Sequence, residues 1–220
     1  MIKKFELDLS SKITVFGIDL FRIKALISFS DVEKGELGGY VEKEENLSHS
    51  GNAWVSGDAW VSGNARVSGD ARVSGDAWVS GDARVYGDVE VSGDAWVYGD
   101  VEVSGNARVS GNARVSGDAR VYGDVEVSGN AWVSGNVEVS GNAWVSGNAE
   151  VSKLNDYIVF KNNWSSGRYF TYTRSNKMWR VGCFYGTGEE LIKKAYQDSK
   201  DSGKHYEAYV NLVKTLEQEE

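Results

Sequence analysis

The chain of 220 residues has no proline, one cysteine, two histidines and no run of about 18 apolar residues. Each shortage excludes something. Cys183 alone can form no intrachain disulfide and no cysteine-based zinc site. Without a long apolar run, no membrane-spanning helix is expected. The opening MIKKFELDLSSKITVFGIDL carries basic residues but no unbroken apolar core, so it does not read as a secretory signal. A reducing, cytoplasmic setting fits this cysteine usage. Proline is absent beside 26 glycines, so the glycine excess is periodic rather than the mark of a disordered Pro/Gly-rich chain.

Charge is as unevenly placed as glycine. Residues 50–151 contain six Arg and no Lys against nine Asp and five Glu, which accounts for the whole net charge of −8. The flanks sum to zero. A negatively charged central segment repels a phosphate backbone, so no nucleic-acid partner is expected.

What fills that segment is a repeat. From Ser50 to Val151 run 17 consecutive hexads without insertion. Each reads Ser or Tyr, Gly, Asp or Asn, Ala or Val, one of Trp, Arg and Glu, then Val. A helix is excluded, because a glycine every six residues costs about 1 kcal/mol at each interior site. A short strand followed by a turn fits. Side chains alternate along a strand, so the Ala or Val and the final Val face inward while the variable residue between them faces out. Glycine supplies the corner's positive φ, and Asp or Asn tolerates turn geometry and can bond its own backbone. Residues 68–103 and 104–139 agree at 30 of 36 positions, a duplication that preserves every side chain's face.

Units such as SGNARV and YGDVEV resemble the hexapeptide-repeat, left-handed β-helix family. The resemblance implies the handedness and three hexads per triangular coil of 18 residues. The fold class expected is therefore mainly β, a solenoid of about six coils. Residues 1–49 are expected to form a β-meander cap, 50–152 the β-helix, and 153–220 a β-β-β-α-α cap domain. KFELDL, KITVFG and DLFRIKALISF read as the strands of the first cap, with Val41 and Leu47 the first inward residues. DYIVF, RYFTYTR and MWRVGCF read as strands of the second. There Thr187 and Glu190 match a capping box, and Tyr206, Tyr209, Val210, Val213 and Leu216 form an apolar helical stripe expected to be core. The stretches LFRIKALISFSDVEKGELGGYVEKEENLS and VGCFYGTGEEL together are similar to bacterial and phage hexapeptide-repeat proteins of a transferase-like type.

Counted by coils, the variable residues fall into three columns. The first is Trp54, Arg72, Glu90, Arg108, Glu126 and Trp144; the third is Arg66, Arg84, Glu102, Arg120 and Glu138. Opposite charges on neighbouring rungs are worth roughly 0.2–1 kcal/mol each, and these ladders are expected to be structural. The second column is Trp60, Trp78, Trp96, Arg114, Trp132 and Glu150. Arg114 stands where a guanidinium can stack on both adjacent rings. A contiguous aromatic strip marks an interface, and Trp and Arg dominate interface energetics. Trp60, Trp78, Trp96, Arg114 and Trp132 are therefore the candidate docking residues, with a protein partner or a second copy as occupant.

Catalysis has little to stand on. His49 occupies an inward-Val position before the first hexad, and His205 lies at the start of the last helix. The hexads contain no His, Lys or Thr and no interrupting loop, whereas the acyltransferases of the resembled family use a His base and a loop-built pocket. Cys183 reads as a small buried apolar residue. Corner columns such as Asp58, Asp76 and Asp94 are explained by turn geometry, so no metal and no cofactor is expected. The reading is a non-catalytic interaction protein, with a phage-type inhibitor or decoy of a host factor as one role. The alternatives are an acyltransferase-like enzyme and a protein stacking sugars or bases on its Trp rings.

Overall fold

The computed structural model describes residues 2–218. Among them, 17 short strands run from Trp54–Val55 to Glu150–Val151, one to each hexad. Each pairs in parallel with the strand 18 residues away, as Trp60 does with Trp78 and Arg84 with Glu102. The result is a parallel β-solenoid of about six turns with three sheet faces. All the Ala and Val side chains of the hexads point into it, none more than 3% exposed. This small-plus-branched filling makes one continuous core along the stack.

The corners hold the stack to its period. Gly81 has φ +73°, and a Cβ there would come 2.8 Å from the Gly99 nitrogen of the next coil. Only glycine satisfies both demands. Where the residue after it is Asn, its amide bonds to the next coil. Asn52 donates to Asp70 at 2.8 Å, Asn64 to Asp82 at 3.0 Å and Asn106 to Asp124 at 2.9 Å. An amide above a carboxylate makes a donor–acceptor ladder that two carboxylates cannot.

The N-terminal segment extends one solenoid face. Phe5–Val15 and Ile18–Ala25 form an antiparallel hairpin, and Leu37–Val41 joins it to the strand Trp60–Val61. KFELDL and KITVFG, expected as two strands, are one strand with a bulge between Asp8 and Ile13. Asp8 closes the bulge by accepting from the Ser10 N–H and hydroxyl at 3.0 and 2.6 Å. Phe16 and Gly17, both at positive φ, make the tight turn. Gly39 lets the chain reach the solenoid, since a Cβ there would lie 2.5 Å from the Ala59 carbonyl oxygen. Val41 and Leu47 point inward, 0% and 2% exposed.

At the other end, Tyr157–Lys161, Tyr169–Thr173, Met178–Val181 and Phe184–Gly186 form a four-stranded antiparallel sheet. MWRVGCF is thus two strands, broken where Gly182 takes φ +58°. Cys183 sits at that turn and is exposed, which corrects its expected burial; a turn residue has no core to enter. Two helices follow, Gly188–Asp198 and Lys200–Gln218. The capping box opens the first: Glu190 N–H donates to Thr187 Oγ1 and Thr187 N–H to Glu190 Oε2. The second starts five residues before His205, whose ring stacks on Trp164 at 4.5 Å. Tyr206, Val210 and Val213 are buried against Phe170 and Trp179, whereas Leu216 stays 37% exposed.

Candidate interaction surface

The second column lies on the longest sheet. Its register runs Trp60, Trp78, Trp96, Arg114, Trp132, Glu150, and Tyr40 adds a rung before them. Sequence reasoning missed Tyr40 because it precedes Trp60 by 20 residues, out of phase with the repeat. The signal available was GGYV, a truncated hexad in which Gly takes the place of Ala.

The rings contact one another along the column. Trp60 and Trp78 stack at 4.8 Å and 12°, and Trp78 meets Trp96 edge-on at 5.1 Å. Arg114 places its guanidinium 5.3 Å over the Trp96 ring. Of the two rings within its expected reach, it takes Trp96. Indole N–H groups of Trp78 and Trp132 donate to Ser62 and Ser116, at 3.4 and 3.0 Å, which fixes those ring planes.

Coverage divides the column. The hairpin tip lays Phe16 against Trp78 and Trp60 at 5.8 and 6.4 Å. Arg22 lies 4.6 Å over Tyr40 and pairs with Asp58 at 3.1 Å. Beyond the hairpin, no described ring or cation from outside the column contacts Trp96 and Trp132, which are 39% and 41% exposed. Together with Arg114 and Glu150 they line a shallow groove of about 570 Å³, walled by the corner residues Asp94, Asn112, Asn130 and Asn148. Asn112, Asn130 and Asn148 are linked amide to amide at 3.0 and 3.2 Å.

The two hexad Trp residues outside this column are covered. Trp54 is buried under Phe29, ring centroids 5.4 Å apart. Trp144 lies beneath Arg180 at 5.3 Å, and its backbone N–H donates to Thr171 Oγ1.

The charged columns have the alternating register, with Glu102 between Arg84 and Arg120, and Glu138 after Arg120. Glu90 likewise lies between Arg72 and Arg108, with Glu126 after Arg108. Close ion pairing is sparser than the register. Arg108 reaches Glu90 at 3.7 Å with both side chains more than half exposed, a contact worth at most about 1 kcal/mol. Arg72 turns instead to Asp31 and Ser30 of the N-terminal segment. Glu102 and Glu138 accept from the hydroxyls of Tyr86 and Tyr122, which raises both tyrosine pKa values. The corner tyrosines are thus partners of the ladder.

His49 belongs to the N-terminal cap. Its Nδ1 accepts from the Lys4 N–H at 3.3 Å, its ring packs on Phe5 at 4.3 Å, and its Nε2 is 3.7 Å from Glu44. Among the described residues no three His, Cys, Asp or Glu side chains group as metal ligands. No helix is long and apolar enough to cross a membrane.

A stack of identical coils with an aromatic row on one flank is a scaffold for contact. The bactofilin family model, described as polymer-forming cytoskeletal, matches residues 46–156. The chain belongs to the bactofilin family. That stretch takes in all 17 hexads, so the family assignment and the solenoid describe the same residues. Bactofilins are structural and polymer-forming, so this is a non-enzymatic, self-interacting β-helical protein, and the acyltransferase alternative falls away. No curated protein matches the chain.

Proposed function

We propose that this bactofilin self-associates through the open half of its Trp/Arg column and works as a scaffold in the bacterial cytoplasm. The observation that carries the reading is the exposure of Trp96 and Trp132 on a flat parallel sheet, beside Arg114, in a polymer-forming family. Exposed apolar strips of this kind mark contact surfaces, and Trp and Arg supply most of the binding energy where they are buried by a partner. In this reading residues 1–49 and 153–220 act as caps, Trp60 and Trp78 contribute at the margin, and the charged columns keep the stack in register. A negatively charged solenoid keeps nucleic acid out of the partner set. A decoy role against a host factor has no comparable observation behind it, nor has the transferase-like resemblance beyond the β-helix itself.

Light scattering on the wild type and on Trp96→Ser/Trp132→Ser tests the reading. The wild type is expected to exceed the mass of one chain at micromolar concentration and the double variant to fall toward it. An unchanged assembly in a folded double variant would overturn it.

A further inference from the structure

The match to the bactofilin family ends at residue 156, and the chain beyond it has a groove of its own. The groove, of about 300 Å³, is bordered by the four-stranded sheet, the start of helix Gly188–Asp198 and the helix Lys200–Gln218. Its apolar walls are Tyr172, Trp179, Val210 and Val213. What sets it apart from a gap in packing is a group of hydrogen-bond donors without acceptors.

A helix leaves its first amides to be satisfied from outside its own ladder. The capping box uses the N–H groups of Thr187 and Glu190, and Leu191 N–H returns to the Thr187 carbonyl at 3.0 Å. Among the described residues the N–H groups of Gly188 and Glu189 have no acceptor. Trp179 is 2% exposed, its ring packed among Phe160, Phe170 and Tyr172. Its indole N–H likewise has no acceptor among the described residues, although a buried indole ordinarily finds one. Gly188 locates that N–H: a Cβ there would lie 3.3 Å from Trp179 Nε1 and 2.7 Å from Val210 Cγ1. The absent side chain leaves room beside the indole, next to the two free amides. Three donors therefore share one end of the groove, at the positive end of a helix dipole.

Two ammonium groups stand on the rim, Lys214 from the last helix and Lys177 from a turn between strands. Lys177 has φ +56°, which glycine would adopt at less cost, so what a lysine adds at that turn is charge. Of the two rim carboxylates, Glu217 accepts from the Tyr172 hydroxyl and Glu189 is exposed. Formal charges on the rim cancel, and the helix end adds about half a positive charge. That balance suits a monoanion better than a phosphate dianion. Apolar walls suit an apolar body attached to it, and the volume is at the low end for ligand sites.

We infer that this groove binds an organic carboxylate carrying one apolar side chain, its oxygens on the Trp179 indole N–H and the Gly188 and Glu189 amides. A free acid and the C-terminus of a peptide both present that chemistry. The site is independent of the self-association reading, since its residues all lie outside the solenoid.

Ligand-observed saturation-transfer NMR on the full chain tests it, because that signal survives assembly of the protein. The probes are N-acetyl-leucine, its uncharged twin N-acetyl-leucinamide, and an acetylated glycyl-glycyl-leucine with a free carboxylate. N-acetyl-leucine is expected to bind in about the millimolar range, as befits so small a ligand, and the amide at least about tenfold more weakly. Gly188→Ala fills the space beside the indole and should abolish binding. Lys177→Gly/Lys214→Gln should weaken it about tenfold, a few-fold for each exposed ammonium, without lowering the thermal midpoint. The peptide binding more tightly than N-acetyl-leucine would identify a chain end as the ligand, and the reverse order a free acid; either order supports the site. Binding of neither acid, equal binding of acid and amide, or an unchanged affinity in the folded lysine variant would overturn it.

Discussion

Trp60 and Trp78 stand on the same sheet face as Trp96 and Trp132, in the same slot of the same repeat, yet their surroundings differ. The first pair lies against Phe16 at the hairpin tip, with Arg22 and Tyr40 completing that end; the second pair faces open space. Nothing in the hexads SGDAWV at 56, 74 and 92 distinguishes them. The difference comes from a segment that leaves the solenoid, turns and comes back over two of its rungs. One repeat thus supplies a packing residue in one place and a contact residue in another, according to what the rest of the chain lays over it.

The sharpest way to break this comparison uses the most deeply covered ring. Trp54→Ala empties a site that is 2% exposed under Phe29, and urea unfolding should show a loss of about 3–5 kcal/mol. Trp96→Ala should cost under about 1.5 kcal/mol, the scale of an aromatic pair, while weakening self-association. Equal losses at the two sites would erase the distinction between covered and open rings.

A second, smaller effect comes from Lys4, whose ammonium ties the N-terminal strand to the first coil by donating to the Ala53 and Gly51 carbonyls at 2.7 and 3.3 Å. Burial lowers the Lys4 pKa to about 8, opposed in part by the Asp70 carboxylate. The unfolded chain keeps that proton until about pH 10.4, so between these values it binds more protons than the fold. Stability should therefore rise with pH from about 8 to 10, by about 2 kcal/mol, and Lys4→Met should flatten the rise. The measurement stops there, because burial and the Glu217 carboxylate push the Tyr172 pKa up, and such a group costs stability once unfolded tyrosines ionise.

The mildest change probes the boundary itself. Phe16 is 81% exposed and gives Trp60 and Trp78 only one ring face. Phe16→Ser should leave the unfolding midpoint within about 0.5 kcal/mol, as for a surface substitution, and lengthen the open strip toward the hairpin. Tighter self-association by sedimentation is the expected result. Weaker association would instead place Phe16 within the contact.

Much of the architecture was legible because it is local. A strand's alternation assigns Val91 and Glu90 to opposite faces whatever surrounds them, and a strict six-residue period keeps each slot on its face. The capping box at Thr187 and Glu190 was legible for the same reason, needing only four residues. Less legible were features set by balance between neighbours. The bulge at Asp8 merges two apparent strands because its carboxylate satisfies the extra residues' donors. Glu102 and Glu138 bond to Tyr86 and Tyr122 because a phenol at the corner reaches the carboxylate of the next coil.

By itself the sequence determined the coil, its inward Ala and Val, the three outward columns and the unequal division of charge, since each follows from period and alternation along the chain. Tertiary structure alone decided which tryptophans are covered. Phe16, Phe29 and Arg180 come from outside the repeat to reach Trp78, Trp54 and Trp144, and no periodicity specifies where a hairpin or a cap sheet comes to rest. Their positions follow from packing against the ends of the stack, and Trp96 and Trp132 stay open because they lie between the two.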